Sequence, residues 1–495
     1  MFKILFKMKK HIIFLLFFIL TFALSYRVIE DIDFGWHMRA GQYIAQNKAV
    51  PQRDLFTFSQ PNYPYIYHSW LTELLLFESF NLFGVPGASA LYAFALTITM
   101  FALYKTSTII SSNKISHILI ALATLITYTV AGGRTRIFSL LCLSIIYYCF
   151  VKFYSSNSKI IWVIPFIMML WANLHGSFPF GIAFLVITTL TYALFDKKHP
   201  KNKYKLKKVV QVTLISTLAT LINPYFLRSW QNAMEVFLNS TTKISSINPD
   251  WQSIGAENSS SWILIAITAG IITLAYLLRK KETKVHIALT TLFLFLSLLT
   301  SRFLIGLVVF AIPLANLSLE EFGKRLNKTV KNSLPVRFSI TAISCIIALI
   351  AIANILQANI AYRSSANYTK FLSSEAAVHN YPFWSLNANS FLNTNVKNGR
   401  IFNEGHWGGL MLLENPSKKI FYYSAMDNYI ISGKPFAFEY LSIVNTHPGW
   451  ENKIENYNIN TIYLPPEYPL IKKLENDNKW EIIYKDNRAV IIIRK

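Results

Sequence analysis

Long uncharged runs dominate the first three quarters of the chain. A helix that crosses a bilayer needs roughly 20 mostly apolar residues. The run 160–195 would make a helix of about 54 Å, and its polar break at Asn173–Pro179 divides it into two spans. The sequence therefore predicts eleven transmembrane helices. Their uncharged runs are 11–26, 86–104, 115–133, 137–151, 160–195 (two spans), 209–227, 258–278, 285–301, 303–319 and 338–362.

Composition and charge agree with a membrane location. The chain is 53% hydrophobic and 15% charged, whereas about a quarter of residues are charged in soluble proteins. A net charge of +23 would suggest nucleic acid in a soluble protein. Here the alternate segments assigned to the cytoplasm hold 24 Lys and Arg, and the outer segments before residue 359 hold 9. This asymmetry predicts an inside N-terminus, an outside C-terminus and no nucleic-acid partner.

The first apolar run has two interpretations. Lysines precede it, and Ala23-Leu24-Ser25 resembles a small-x-small cleavage site, so residues 1–25 could be a signal peptide. Ten further spans follow, which makes a first transmembrane helix the simpler interpretation.

Two domains are predicted. Residues 1–362 form a polytopic α-helical membrane domain that includes a first outer loop, 27–85, with a helix at Ser69–Phe83 lying along the membrane interface. Residues 363–495 alternate short β-branched runs with helical ones, which predicts a small extracytoplasmic α/β domain. The predicted strands are Arg400–Asn403, Lys419–Tyr423, Thr461–Leu464, Trp480–Tyr484 and Ala489–Ile493, with helices around 435–445, 448–457 and 470–476 and a hairpin turn at 485–488.

Unusual polar residues gather at the outer ends of the predicted spans. Ionisable groups at membrane depth are costly and usually mark a site, although a charge at a helix end can also snorkel to the interface. Because all of them are predicted to lie on the outer side of the membrane, they favour a single functional site there. These residues are Asp31, Asp33, Arg134, Arg136, Asn173, His175, Asn223 with Pro224 and Tyr225, Arg228 and Arg302.

Asp31 and Asp33 lie two residues apart after the first span. In an extended chain both face one way, which suits a divalent cation, Mg²⁺ or Mn²⁺, or shared general-base work. In a helix they diverge, and Asp33 faces His37 four residues later. The alternative is that these acids only cap the next helix or are solvated.

The other polar residues suit a phosphate and a sugar. Arginines bind phosphate oxygens in bidentate fashion, so Arg134, Arg136 and Arg302 would hold a lipid phosphate. His175 is either a ligand-binding group or a structural hydrogen-bonder. His68 and Trp70, with Glu73, form another polar and aromatic group, although Trp also populates the interfacial belt.

The segment Asp31–Gly41 is followed by Pro51, Asp54, Phe56 and Phe58 and then by His68-Ser69-Trp70-Leu71-Thr72-Glu73, and together they resemble the first outer loop of bacterial GT-C superfamily glycosyltransferases. The resemblance extends over nearly the whole chain. Further similar segments are Arg134–Ser139, Trp171–Gly176, Asn223-Pro224-Tyr225, Trp407-Gly408-Gly409 and the run through Leu464-Pro465-Pro466. The chain departs from the pattern at Gly35, where an aromatic residue is common, and at Thr135-Arg136, where proline is common after the arginine.

The resemblance implies an inverting transferase in the bacterial inner membrane. Its donor would be a polyprenyl-phosphate sugar and its acceptor a glycan, lipid or protein, with membrane lipid around it. Asp33 would be the catalytic base and Asp31 its partner. A divalent metal ion bound by both aspartates would fit this role but is not required. His37, His68, Trp70, Arg134, Arg136, Asn173, His175, Asn223 and Arg302 are the predicted substrate-binding residues.

Two other functions remain open. A flippase or transporter of lipid-linked glycans would carry ionisable groups or broken helices near the membrane midplane, where these spans have almost none. A non-catalytic envelope assembly protein would use its outer domain to bind a partner.

Overall fold

The computed structural model of the chain is mostly helical, with a small sheet near the C-terminus. It describes residues 15–29, 31–111, 116–131, 133–195, 202–240, 252–255, 259–278, 284–325, 334–361, 384–397 and 399–495.

Each of the eleven predicted spans overlaps a helix in these ranges, although the span 209–227 overlaps Asn202–Ala219 only over residues 209–219. Uncharged runs rich in Leu, Ile, Phe and Ala satisfy their backbone hydrogen bonds internally, as a bilayer requires. The helices are Leu15–Ser25, the second arm of Trp70–Ile110, Ser116–Ala131, Ile137–Ser156, Ile164–Leu174, Pro179–Phe195, Asn202–Ala219, Ser259–Leu278, Lys284–Leu299, Leu304–Arg325 and Leu334–Ala361.

Four helical segments among the described residues are long and apolar enough to cross a membrane: Trp70–Ile110, Ile137–Ser156, Ser261–Leu278 and Ser301–Arg325. Six shorter apolar helices accompany them. The protein is therefore of the multi-pass membrane type. The count of eleven spans and the N-in, C-out orientation stay predictions.

The polar break in the longest apolar run is confirmed. One helix ends at Leu174, because His175 adopts an extended backbone conformation, and the next begins at Pro179. Proline suits a first helical turn, since its missing N–H would have no partner there.

A second break lies inside Trp70–Ile110. Gly84 has φ of 66° and ψ of −159°, and Pro86 follows it. The helix therefore has two arms, which correspond to the predicted segment Ser69–Phe83 and the predicted span 86–104. Whether the first arm lies along the membrane interface stays a prediction.

The chain divides into two compact units, each described by itself. Unit 1 comprises Met1–Val28, Ser89–Ala233 and Pro249–Ile360, and unit 2 comprises Ile29–Ala88, Met234–Asn248 and Ala361–Lys495. The first outer loop thus clusters with C-terminal residues. The predicted domain boundary at 362/363 lies outside the described residues.

Unit 2 contains a four-stranded sheet of order β1-β4-β6-β5, where β1 is Ile401–Asn403, β4 is Thr461–Leu464, β5 is Trp480–Lys485 and β6 is Val490–Arg494. Strands β1 and β4 are parallel, and the other pairs are antiparallel. Four of the five predicted strands and the hairpin turn are confirmed. The helices of the C-terminal part are Leu386–Asn395, Gly408–Glu414, Ala437–Val444, Trp450–Asn456 and Pro469–Leu474, and two short strands, β2 at Ile430–Ile431 and β3 at Lys434–Pro435, form a hairpin.

The predicted strand Lys419–Tyr423 is wrong. Only Ile420 makes bridges, one to Thr57 and one to Ile401. The side-chain oxygen of Asn403 accepts from the amides of Phe421 and Tyr422 at 3.0 and 3.2 Å. This side chain takes the place of a strand partner, which a pattern of apolar residues cannot predict.

The helix Phe34–Asn47, here called the first-loop helix, packs against Gly408–Glu414 through two glycines. A Cβ atom added to Gly35 would stand 1.8 Å from the carbonyl oxygen of Gly409. One added to Gly409 would stand 2.2 Å from the carbonyl oxygen of Ile32. The departure at Gly35 therefore has a physical reason, because backbone occupies the space that an aromatic side chain would need.

Candidate functional site

Asp31 and Asp33 lie in a tight turn that leads into the first-loop helix. The amide of Phe34 donates to the Asp31 carbonyl oxygen at 3.2 Å, and the amide of Asp33 donates to Asp31 Oδ1 at 3.3 Å. Asp31 is buried and Asp33 is half-buried. The backbone is therefore not extended here, which excludes the first of the two predicted arrangements, and the Asp33–His37 pairing of the second is not observed either.

The Asp33 carboxylate does not cap the helix that it precedes. Asp33 has helical φ and ψ, and its side chain makes no capping hydrogen bond. Instead, Asp33 Oδ1 accepts a hydrogen bond from the hydroxyl of Ser424, 391 residues along the chain. The capping interpretation is thus wrong for Asp33.

C-terminal residues of unit 2 add further titratable groups, of which His406 is close enough to Asp33 to interact with it electrostatically. His406 Nδ1 lies 3.0 Å from Glu404 Oε1, and the Tyr422 hydroxyl donates to Asp427. Glu404 is 2% exposed and the His406 side chain is 44% exposed. Burial disfavours the imidazolium, but Glu404, Asp427 and Asp33 outweigh it and raise the pKa of His406 above its usual value.

Glu404 is held by its surroundings. Its Oε2 accepts from the Trp407 amide at 2.9 Å, and the Tyr468 hydroxyl donates to its Oε1 at 3.4 Å. Sequence reasoning missed Glu404, His406, Ser424 and Asp427. The available sequence signal is the neighbouring motif Trp407-Gly408-Gly409, which by itself indicates only a similarity to GT-C proteins.

His37 pairs with Glu73 rather than with Asp33. Its Nδ1 lies 3.0 Å from Glu73 Oε1, and Glu73 is 1% exposed. The Trp36 ring lies against the His37 ring, with centroids 3.6 Å apart and the ring planes tilted by 32°. A Cβ atom added to Gly41 would stand 2.1 Å from the Glu73 carbonyl oxygen. This contact fixes the first-loop helix against the arm that begins at Trp70.

His68 and Trp70 lie at the start of that arm and are both half-buried. The amide of Trp70 donates to the Tyr67 carbonyl oxygen at 3.0 Å, and that of His68 donates to the Ile66 carbonyl oxygen at 2.8 Å. Their substrate-binding role stays a prediction.

Asp54 joins the first outer loop to the segment around Ser424. The hydroxyls of Tyr423 and Tyr429 each donate to Asp54 Oδ1 at 3.2 Å, and the Thr57 amide donates to Asp54 Oδ2 at 2.9 Å. Burial raises the pKa of Asp54, although the hydrogen bonds from Thr57, Phe56 and Tyr429 oppose that shift. We call Asp54, Tyr423 and Tyr429 the Asp54 clasp.

Within unit 1, a polar cluster forms where the start of the helix Ile137–Ser156 meets the end of the helix Ile164–Leu174. Ser139 Oγ lies 2.9 Å from His175 Nδ1 and accepts from Trp171 Nε1 at 3.1 Å. Arg134 and Arg136, both half-buried, lie in the turn that immediately precedes the first of these helices. The structure thus brings His175 to the helix that the two arginines introduce.

Asn173 and Asn223 are joined through the backbone. Asn173 Nδ2 donates to the Ile222 carbonyl oxygen at 2.8 Å, and Asn223 Oδ1 accepts from the Tyr225 amide at 2.8 Å. Both amides therefore have a structural role in unit 1. Arg302 is exposed and lies on a separate short turn, Ser301–Phe303. Ligand binding by these residues stays a prediction.

A metal site receives no support from side-chain grouping. Among the residues that the structure describes, no three or more His, Cys, Asp or Glu side chains are grouped so that they could hold a metal ion. Divalent cations with oxygen ligands normally use several carboxylates or carbonyls.

Comparison with known proteins gives matches in structure but not in sequence. The chain matches no protein-family model and no curated protein. A structure of ArnT from Cupriavidus metallidurans bound to undecaprenyl phosphate is similar, with a TM-score of 0.53 and 11% identity over 96% of this chain and 95% of ArnT.

Two further structures are similar over most of this chain. The oligosaccharyltransferase of Archaeoglobus fulgidus, tethered to an acceptor peptide containing the NVT sequon, has a TM-score of 0.51 and 11% identity over 92% of this chain and 68% of its own. Arabinofuranosyltransferase AftD from Mycobacteria has a TM-score of 0.54 and 12% identity over 97% of this chain and 39% of its own. These matches confirm the fold that the sequence resemblance implied.

Proposed function

We propose that this chain, which has the fold of the GT-C glycosyltransferase superfamily, transfers a sugar from a polyprenyl-phosphate-linked donor to an acceptor hydroxyl. The reaction takes place on the outer face of the bacterial inner membrane, and Asp33 is the general base. The observation that carries the proposal is the Asp33 carboxylate, which leaves its helix uncapped and turns toward Ser424 instead.

The proposed reaction is an inverting displacement. Asp33 takes the proton of the acceptor hydroxyl, and the oxygen attacks the anomeric carbon. The bond from that carbon to the lipid phosphate breaks, and the phosphate keeps the electron pair. A base placed within hydrogen-bond reach of the hydroxyl contributes about 10²- to 10⁴-fold to such a step.

The departing phosphate needs positive charge. Arg134 and Arg136 are the proposed ligands, with Arg302 as a third, because guanidinium groups pair with phosphate oxygens in bidentate geometry. His175 is proposed to hold this arginine-containing segment in place through Ser139, to which it is hydrogen-bonded. His37, His68, Trp70, Asn173 and Asn223 are proposed to shape the sites of donor and acceptor, and Asp31 orients the turn that contains Asp33.

The similar proteins support the choice of substrates. ArnT was solved with undecaprenyl phosphate, and the oligosaccharyltransferase with a tethered acceptor peptide. A lipid phosphate is therefore the proposed leaving group for this chain as well. The sugar and the acceptor are left to experiment.

Mass spectrometry of surface glycans and lipids tests the proposal. Cells with wild type, a deletion, Asp33→Asn or Asp477→Asn are compared at matched membrane abundance. Asp477 is the control, since it is a half-buried acid in the turn before β5 whose carboxylate accepts from the Lys479 amide at 2.9 Å. Loss of one sugar from one glycoconjugate in the deletion and in Asp33→Asn, but not in Asp477→Asn, is expected. Normal glycans in Asp33→Asn with loss in the deletion would favour transport or assembly.

A further inference from the structure

The C-terminal part of unit 2 supplies a hydrogen bond to the proposed base. Ser424 Oγ donates to Asp33 Oδ1. Ser424 is half-buried and begins the short 3-10 turn Ser424–Asn428. It is thus an ordered hydroxyl that touches the carboxylate and belongs to a segment distant in sequence.

The turn that contains Ser424 is held at both ends by the Asp54 clasp. Tyr423 and Tyr429 flank the turn, both are fully buried, and both hydroxyls donate to Asp54 Oδ1. Aromatic stacking also holds the end of the turn in place, because the Tyr63 ring stacks on the Tyr429 ring with centroids 4.0 Å apart. Groups fixed by packing and by a second layer of hydrogen bonds hold a reactive side chain more accurately than loops do.

A carboxylate has two oxygens, and only one of them needs a partner from the protein. A hydrogen bond to Oδ1 fixes the rotation of the carboxyl group and leaves Oδ2 to accept from a substrate hydroxyl. An ionised acceptor makes a stronger bond than a neutral one, so Ser424 restrains the carboxylate while it is charged and ready to act.

We propose that Ser424 is the positioning residue of Asp33, and that the Asp54 clasp sets its place. This inference rests on the proposed function. In the step that it serves, the acceptor O–H bond breaks, the proton passes to Asp33 Oδ2, and the acceptor oxygen forms the new bond to the anomeric carbon while the lipid phosphate leaves. Ser424 keeps its own proton and orients the base.

The inference predicts a loss of rate without a loss of fold. Removal of a hydrogen bond to a charged group changes rates by about 10- to 150-fold. Ser424→Ala is therefore expected to lower transfer about 10-fold or more. Ser424→Thr keeps the hydroxyl and is expected to stay within about three-fold of wild type, since the half-buried position can accept one methyl group.

The test uses the full-length protein in a deletion strain. Each variant is induced, and we measure the initial rate at which sugar appears on the glycoconjugate that the deletion affects. The variants compared have the same membrane abundance and the same melting temperature. Ser442→Ala is the control, because Ser442 is a half-buried serine of unit 2 that donates to the Glu439 carbonyl oxygen at 2.7 Å. It should keep the wild-type rate.

The outcomes separate this inference from the proposed function. The inference is supported if the transfer rate falls in Ser424→Ala and is restored in Ser424→Thr. It also requires that adding Ser424→Ala to Asp33→Asn causes no further fall in rate. Equal losses in both serine variants, or no loss in either while Asp33→Asn is inactive, overturn it and leave the proposed function standing. If Asp33→Asn also transfers sugar normally, the proposed base itself is wrong.

Discussion

The close contact between Gly35 and Gly409 offers a sharp test of the packing around Asp33. In Gly35→Ala the new Cβ would stand 1.8 Å from the Gly409 carbonyl oxygen and 2.6 Å from its carbon. Real Cβ atoms keep at least 3.0 Å from such neighbours, and these are backbone atoms that cannot rotate away. The two helices must therefore separate by about 1.2 Å, the difference between those distances.

Helix propensity and packing predict opposite results for this substitution. Alanine within a helix is favoured over glycine by about 0.5–1 kcal/mol. Overpacking costs about 1–3 kcal/mol, and more when backbone must move. We expect packing to dominate, with a net fall in melting temperature of several degrees. Because Asp33 lies two residues before Gly35, a shift of about 1 Å is also expected to lower transfer about 100-fold.

Thermal unfolding of the purified protein and the rate of sugar transfer measure the two effects. Gly270→Ala is the matched control, because Gly270 lies inside the helix Ser259–Leu278 and a Cβ there has no neighbour within 4 Å. It should be neutral or slightly stabilising. A Gly35→Ala protein as stable and as active as wild type would refute the packing argument.

Two more predictions concern the buried carboxylate of Asp54 and the imidazole of His406. Asp54→Asn should lower the free energy of unfolding by about 1–3 kcal/mol, because an amide NH₂ would face the hydroxyl and amide donors that now reach Asp54; thermal melting against Asp477→Asn checks this, and equal melting temperatures would contradict it. The raised pKa of His406 means that its protonation stabilises the folded state below the unfolded value of 6.5 and that this stabilisation is lost as pH rises through the higher folded value. Wild type should therefore lose more melting temperature than His406→Gln between pH 6 and pH 9, and parallel losses would show that His406 is not the group responsible.

The helices were predictable because their signal is local. Uncharged runs and the polar break before Pro179 gave the spans, and β-branched runs gave β1, β4, β5 and β6. The strand predicted at Lys419–Tyr423 failed because Asn403 supplies a side-chain partner from elsewhere in the chain. The β2–β3 hairpin was missed, and the structure shows that its turn residues Ser432 and Gly433 both have positive φ, as a type I′ turn requires.

The candidate site was only half predictable. Asp31, Asp33 and His37 lie in a recognisable motif, so sequence alone could single them out. Ser424 is 391 residues from Asp33, and no spacing or periodicity connects the two. The partner of His37 was mistaken for a similar reason, because Glu73 approaches from another helix. Contacts between distant segments depend on tertiary packing, which a single sequence does not encode in a readable pattern.

The central claim is that Asp33 drives sugar transfer from a lipid phosphate. The most direct measurement is release of polyprenyl phosphate by purified protein in vesicles, with polyprenyl-phosphate sugar extracted from the deletion strain as donor and membranes of that strain as acceptor. We predict one polyprenyl phosphate released per sugar transferred by wild type, and a rate about 10²- to 10⁴-fold lower for Asp33→Asn. Equal rates for the two proteins, or movement of the intact donor across the bilayer without release, would contradict the account.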